Sequence, residues 1–198
     1  MNLERYKIVS LAKLLLQKDG ESVFNHTVRD FSCPLNEDVE HFLKHSAVPN
    51  QRMGISRTCL VFIQNGDERL LVGYYSLALQ VLDLSHITNK SLRKKITGFK
   101  RENKLGAAVY LIGQLGKNFH HEANHYITGQ ELFLLAMQKI LEARQNVGGR
   151  IVVVECKNDE HLKSFYEDTL SFQLIDNADD DSMLKYMTPI STYTSYDQ

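Results

Sequence analysis

Two long apolar runs, residues 57–64 and 69–84, stand on either side of Asn65-Gly66-Asp67 in this chain. Asn-Gly between two such runs is a strong signal for a β-hairpin, because these residues readily adopt the left-handed backbone of a tight turn. The sequence therefore predicts an antiparallel hairpin in its first half. Further strands are predicted at 107–115, 150–156, 172–175 and 183–187.

Helical periodicity is clearest in residues 130–145, where apolar side chains recur every three or four positions. A second helix is predicted over 36–47, with Asn36 as its N-cap and two acidic residues in its first turn. Residues 161–167 are predicted to form a short helix, whereas residues 3–16 fit a strand or a helix equally well.

The order of these elements indicates a mixed sheet. The hairpin comes first, and the later strand–helix–strand unit over 107–156 implies a parallel strand pair. No repeat or linker divides the chain, so we expect one domain over 1–187. The Ser/Thr/Tyr-rich stretch 188–198 is expected to be a frayed tail.

Charge is balanced overall but unevenly placed. The 198 residues include 23 basic and 24 acidic side chains, which excludes a global attraction to nucleic acid or membrane. One basic strip, residues 90–104, has seven cations and one acid, leaving 16 basic against 23 acidic residues elsewhere, a net of −7. The cations of the basic strip are Lys90, Arg93, Lys94, Lys95, Lys100, Arg101 and Lys104.

Cysteine usage and the N-terminal segment indicate the cellular compartment in which the protein is expected. Cys33, Cys59 and Cys156 are an odd, sparse set, so we expect no disulfide framework and a reducing cytoplasm. The N-terminal apolar run carries Lys13 and is too short to cross a bilayer. We therefore expect a cytoplasmic protein with no membrane association.

Residues 111–132, LIGQLGKNFHHEANHYITGQEL, combine an apolar strand, a loop and a helix that opens directly behind a glycine. A helix N-terminus offers free N–H groups and a partial positive charge, which suits a phosphate-bearing cofactor. The alternative is an ordinary loop with a glycine at the helix start.

Three blocks of the chain resemble the GNAT superfamily of acetyltransferases. They are residues 31–78, then LIGQLGKN to ITGQELF, then VVVEC followed by SFYEDTLSF. The likeness is greatest to a bacterial branch that includes toxins acetylating the amino group of aminoacyl-tRNA. It implies an α/β (α+β) fold, a GNAT-type mixed, mostly antiparallel sheet with a splayed parallel strand pair and flanking helices.

The resemblance implies that acetyl-CoA is the cosubstrate, and we expect no metal. The family's cofactor loop has two small residues, but here Ile127 takes the first glycine's place and Asn124 the usual Gln/Arg place. A glycine at 116 would allow close approach of the pantetheine arm. The implied cofactor-binding residues are Gln114, Leu115, Gly116, Lys117, Asn124, Thr128, Gly129, Gln130, Glu131 and Asn158. Asn158 fits equally well as a turn residue opening a helix.

Tyr166 is the implied catalytic residue, because the family places a tyrosine at this point of the Phe165-Tyr166 pair. Its hydroxyl would protonate the leaving CoA thiolate. The alternative is a core-edge tyrosine whose hydroxyl simply finds a partner. Cys156, at the end of a buried strand, is assigned to packing rather than nucleophilic chemistry. His120, His121 and His125 do not have the spacing of a zinc site.

No general base is evident, which fits an acceptor whose amine is partly neutral at pH 7. An α-amino group has a pKa of about 7.7–8.0, against about 10.4 for lysine. An aminoacyl or peptide N-terminal amine would therefore fit. The resemblance to the toxin branch implies aminoacyl-tRNA as the acceptor, with a small-molecule or peptide amine as the alternative and a non-catalytic acyl-CoA-binding module as the second. The basic strip fits a solvated loop, a tRNA contact or a contact with the CoA 3′-phosphate. Pairing into a homodimer stays open.

Overall fold

The computed structural model describes residues 2–99, 105–177 and 183–194. Its seven strands form one mixed sheet in the order β1-β2-β3-β4-β5-β7-β6, mostly antiparallel, with β4 and β5 parallel. The predicted fold class is confirmed. The strands are β1 (Tyr6–Ser10), β2 (Arg57–Asn65), β3 (Glu68–Asp83), β4 (Gly106–Lys117), β5 (Ile151–Lys157), β6 (Gln173–Asn177) and β7 (Met183–Pro189).

Seven α-helices lie in the described part of the chain, and two of them continue into a turn of π-helix. The α-helices are α1 (Leu11–Leu15), α2 (Gly20–Val28), α3 (Glu37–His41), α4 (Ala47–Met53), α5 (Lys90–Thr97), α6 (Gly129–Val147) and α7 (Glu160–Ser164). The π-turns are Phe42–Ser46 after α3 and Phe165–Thr169 after α7, and a 3-10 segment spans His120–Tyr126. No helix of the described residues is long and apolar enough to cross a bilayer.

The chain divides into two compact units. The first unit is Met1–Ala78 with Gly113–Ala136, and the second is Leu79–Ile112 with Met137–Gln198. The expectation of one domain over 1–187 stays a prediction.

The first unit has its core between α1 to α4 and the strands β2 and β3. The predicted hairpin is confirmed, with Asn65 paired to Glu68 across the turn. Asn36 caps α3 as predicted, its side chain accepting a hydrogen bond from the Asp38 amide at 3.2 Å. Fully buried members of this core include Leu11, Phe24, Phe31, Leu43, Leu60 and Tyr74.

The second unit is built around the parallel pair, in which Tyr110, Leu111 and Ile112 align with Val152, Val153 and Val154. β7 lies antiparallel to both β5 and β6. Val152, Val153 and Val154 are buried, as expected for the continuous apolar run. A second core cluster gathers Leu82, Leu84, Ile87, Ile96, Val109, Ile151, Val153 and Met187.

Three segments differ from the sequence-based prediction. Residues 3–16 form both a strand and a helix, β1 followed by α1, rather than one of the two. α2 was not predicted at all. Residues 188–194, expected to be frayed, continue β7 and enter a 3-10 turn, where Tyr193 is buried and its hydroxyl donates to the Leu170 carbonyl at 2.5 Å. Aromatic burial therefore holds residues 188–194 in place.

Candidate functional site

β4 ends at a buried asparagine that fixes the loop leading to α6. The Asn118 side chain donates to the Leu71 carbonyl at 2.9 Å, and its carbonyl accepts from the amides of Ser32 and His120, both at 3.1 Å. Its own amide donates to the Val72 carbonyl at 2.9 Å. Because these polar groups of Asn118 have partners within the first unit, the start of the loop is held rigidly.

Gly116, expected to admit the pantetheine arm, has its open side filled by the protein itself. A Cβ at this position would lie 2.4 Å from Val39 Cγ1 and 2.9 Å from Tyr74 Cε1. The absent side chain therefore serves packing against α3 and β3, and close approach of a ligand on that side is ruled out. The neighbouring Gln114, Leu115 and Lys117 are half-buried.

The loop between β4 and α6 contains a strained pair of residues. His121 and Glu122 adopt left-handed backbone conformations, with φ of 48° and 56°, and such conformations are unfavourable for residues other than glycine. Further along, the Lys117 ammonium donates to the Asn124 carbonyl at 3.2 Å. Among the described residues, no group of three or more His, Cys, Asp or Glu side chains is arranged to hold a metal ion.

The first turn of α6 is closed by a capping box between Thr128 and Glu131. The Glu131 carboxylate accepts from the Thr128 amide and hydroxyl, both at 2.9 Å, and the Glu131 amide donates to the Thr128 hydroxyl oxygen at 3.1 Å. The amides of Thr128 and Glu131, both expected to bind the cofactor, are therefore already occupied. Those of Gly129 and Gln130 lie in the first turn, where no helical carbonyl can reach them.

Arg5 and Tyr6, at the start of β1, complete this cluster, and sequence reasoning missed both. Arg5 forms an ion pair of 2.8 Å with Glu131 and donates to the Tyr6 hydroxyl oxygen at 2.6 Å. Tyr6 in turn donates to the Tyr126 carbonyl at 2.8 Å. Burial would raise the pKa of the Glu131 carboxyl, but the Thr128 hydrogen bonds and the charge of Arg5 together hold that pKa below its usual value.

Tyr166, the implied catalytic residue, lies in the second unit within the π-turn Phe165–Thr169. Its ring packs against Phe165, Phe172 and Tyr186, at centroid distances of 5.2, 5.6 and 5.8 Å. Only 7% of Tyr166 is exposed. Irregular π-turns of this kind occur frequently at functional sites.

The Tyr166 hydroxyl makes no hydrogen bond within the part of the chain that the structure describes. The buried hydroxyls of Tyr74 and Tyr193, by contrast, each donate at 2.5 Å to a carbonyl, and that of Tyr186 donates to Glu167 at 2.8 Å. A buried tyrosine hydroxyl normally has a partner, so Tyr166 is set apart from these core tyrosines.

Burial, with a contribution from Cys156, raises the pKa of the Tyr166 hydroxyl above its usual value. The hydroxyl is therefore a firm hydrogen-bond donor throughout the neutral range. Burial likewise raises the pKa of the Cys156 thiol to about 11, so this cysteine is un-ionised and inert at pH 7. Asn158 is exposed and directly precedes Asp159, which caps α7.

The described part of the basic strip is a helix, α5, and not a loop. Asn89 caps its start through the amides of Ser91 and Leu92, and Gly98 ends it with a φ of 86°. Arg93 donates to the carbonyls of Leu84 and Ile87 and is therefore engaged within its own unit.

The lysines of α5 differ in their contacts. Lys90 and Lys94 are exposed and one helical turn apart, whereas Lys95 reaches Gln173 at 3.4 Å. Lys100, Arg101 and Lys104 lie outside the described residues.

The predicted site residues fall into the two units described above. The first unit gathers the end of β4, the loop and the α6 N-terminus, in contact with the unpredicted Arg5 and Tyr6. The second unit holds Tyr166, Asn158 and α5.

The fold described above is shared with solved structures of KacT and AtaT, and this likeness agrees with the resemblance seen in the sequence. The chain matches a tyrosine-to-phenylalanine variant of KacT with a TM-score of 0.69 and 21% identity, over 97% of this chain and 99% of that one. It matches AtaT in complex with acetyl-methionyl-tRNAfMet with the same TM-score and identity, over 98% and 99% of the two chains.

A further match is the AtaTR structure bound with acetyl-CoA, with a TM-score of 0.65 and 19% identity over 98% of this chain and 99% of that one. AtaT is also seen bound to the C-terminus of the antitoxin AtaR. At these identities the likeness establishes a shared fold with KacT and with the toxin AtaT, and no more. No protein-family model matches the chain.

Proposed function

We propose that this protein is an acetyl-CoA-dependent N-acetyltransferase that transfers the acetyl group directly to an amine. The GNAT fold over nearly the whole chain supports this reaction class. The observation that carries the proposal is Tyr166, whose side chain is buried in a π-turn and whose hydroxyl makes no hydrogen bond within the described residues. A donor with no internal partner is suited to a ligand atom.

For the cofactor, we assign the backbone of Gln114–Lys117 to the pantetheine arm and the α6 N-terminus to the pyrophosphate. The amides of Gly129 and Gln130 would donate to phosphate oxygens, aided by the positive end of the helix dipole. Asn124 and Asn158 are proposed as further contacts to acetyl-CoA. Thr128 and Glu131 act indirectly, because their capping box shapes the helix start.

For the chemistry, the amine attacks the thioester carbonyl, the C–S bond breaks, and the CoA sulfur leaves as a thiolate. Tyr166 donates its hydroxyl proton or a hydrogen bond to that sulfur. Since burial raises the pKa of Tyr166, its hydroxyl stays protonated around the pKa of about 7.7–8.0 at which an α-amino group becomes neutral. The attacking amine loses its proton to solvent.

For the acceptor, we propose the α-amino group of aminoacyl-tRNA. Its pKa of about 7.7–8.0 leaves part of it neutral at pH 7, so no fixed base is required. The exposed Lys90 and Lys94 of α5 offer a cationic surface for RNA phosphate. Similarity to AtaT, which was captured with acetyl-methionyl-tRNAfMet, favours this acceptor over a small amine or peptide.

The reaction is tested by following free-thiol release from acetyl-CoA with total aminoacylated tRNA, uncharged tRNA, polyamines and peptides. Release with charged tRNA alone, together with acetylated aminoacyl-tRNA as product, supports the proposal. Thiol release only with small amines would mean that the acceptor is a small amine and not aminoacyl-tRNA. Tight binding of acetyl-CoA without thiol release in the presence of any acceptor would indicate a non-catalytic binding module.

The role of Tyr166 is tested by Tyr166→Phe, with Tyr186→Phe as the matched control. Both tyrosines lie in one aromatic cluster, but the Tyr186 hydroxyl is engaged by Glu167. We expect Tyr166→Phe to lower kcat by ~100-fold or more while acetyl-CoA affinity is nearly retained. An equal loss in both variants would mean that the Tyr166 hydroxyl has no special part in the reaction and would contradict its role as a proton donor.

A further inference from the structure

A charged carboxylate lies at the start of the helix that we assign to the anionic end of acetyl-CoA. The Glu131 side chain is 9% exposed and accepts two hydrogen bonds from Thr128. A carboxylate at this position opposes the binding of phosphate, because like charges in a partly desolvated site repel strongly. Its charge must therefore be compensated if the site is to accept an anion.

The compensating group is Arg5. One terminal nitrogen of its guanidinium contacts three oxygens: Glu131 Oε1 at 2.8 Å, the Tyr6 hydroxyl at 2.6 Å and the Tyr126 carbonyl at 3.3 Å. The side chain is 45% exposed, and the contacts join the start of β1 to both the turn before α6 and its first turn. Arg5 thus balances the Glu131 charge and fixes the backbone from 126 to 131.

We propose that Arg5 is a positioning residue for acetyl-CoA, neutralising Glu131 and holding the 126–131 turn so that the α6 N-terminus accepts an anionic cofactor. The inference rests on the proposed function and deepens it. Arg5 acts through Glu131 and the Tyr126 carbonyl and does not bind the phosphates itself. These two partners lie 126 and 121 positions away in the sequence, and only the fold brings them together.

The test uses four variants of the full chain: Arg5→Gln, Arg5→Lys, Glu131→Gln and the double variant Arg5→Gln/Glu131→Gln. Acetyl-CoA affinity is measured by calorimetry, and kcat and KM by thiol release. We expect Arg5→Gln to weaken binding by roughly 10-fold with kcat at saturation unchanged, and Arg5→Lys to recover most of the loss. A glutamine side chain can also close a capping box, so the helix start is preserved in the Glu131→Gln variants.

The double variant distinguishes compensation from direct contact. If Arg5 acts by neutralising Glu131, removing both charges returns acetyl-CoA affinity close to that of the wild type. If the double variant binds at least ~10-fold more weakly than Glu131→Gln alone, Arg5 does not act by neutralising Glu131 and the proposal is overturned. This comparison remains valid even when Arg5→Gln alone fails to fold.

The matched control is Arg52→Gln, which removes an arginine from another exposed ion pair, with Glu21 at 2.5 Å. Acetyl-CoA affinity should be unchanged in this variant. A wild-type protein that neither binds nor consumes acetyl-CoA would contradict the proposed function itself. A wild-type protein that does both, combined with an unaffected Arg5→Gln variant, would contradict only the role of Arg5.

Discussion

At the scale of single residues, Gly116 shows how a position assigned to ligand binding can be decided by packing. A Cβ here would overlap Val39 Cγ1 at 2.4 Å and press on the Tyr74 ring at 2.9 Å. We expect Gly116→Ala to lower the free energy of unfolding by about 1–3 kcal/mol, as overpacked sites usually do. Urea denaturation measures this change.

The overlap can be tested separately from any effect on the strand. Val39→Ala removes the nearest atom, so the loss in Gly116→Ala/Val39→Ala should be smaller than the sum of the single losses by about 1 kcal/mol. Strict additivity of the two changes would mean that Val39 does not limit the space at Gly116.

At the scale of elements, the 3-10 segment His120–Tyr126 contains two consecutive residues in left-handed conformation, His121 and Glu122. Each costs about 1–2 kcal/mol relative to a helical or extended conformation, while glycine adopts it freely at an entropic cost of about 0.5–1 kcal/mol. We therefore expect His121→Gly and Glu122→Gly each to raise the free energy of unfolding by about 0.5–1 kcal/mol.

The control for this prediction is His125→Gly, because His125 is exposed in the same segment but has a negative φ. That change should destabilise the protein, since glycine brings only its greater freedom in the unfolded chain. If all three glycine variants lose stability alike in urea denaturation, the left-handed pair is not under strain.

Helix α5 shows where reading by composition fails at this scale. Its residues are a charge run, which is typical of a solvated loop, and only Leu92 and Ile96 point to a buried face. The local helix signals were nevertheless present: Asn89 as N-cap and Gly98 as the left-handed terminator. Hydrophobic periodicity does not predict this helix, because a helix that packs on the edge of a core buries only a few apolar side chains.

At the scale of the whole molecule, the sequence predicts the sheet well, whereas it names only some of the residues that meet at the α6 N-terminus. The hairpin, the buried strand β5 and the mixed order follow from local patterns that one stretch of chain carries by itself. Arg5 could not be found this way, because no local sequence pattern distinguishes an exposed arginine beside a strand from any other surface arginine. Its proposed role exists only through Tyr126 and Glu131, 121 and 126 positions further on.

The uneven charge of the molecule leads to a last prediction. The chain has a net charge of −1, but its exposed Lys90 and Lys94 belong to the basic strip, whereas the rest of the protein is acidic. If this strip binds tRNA phosphate, each contact releases counterions and adds about 0.7–0.9 to the slope of log KM against log salt concentration. In Lys90→Gln/Lys94→Gln that slope should fall by roughly 1.5 and the KM for charged tRNA should rise, while the KM for acetyl-CoA stays constant. Lys13→Gln/Lys18→Gln removes the same charge from exposed positions outside the strip and should leave the slope unchanged. Equal slopes in the wild type and both double variants would mean that α5 contacts only solvent. A selective rise in the KM for acetyl-CoA would mean that α5 contacts the CoA phosphate.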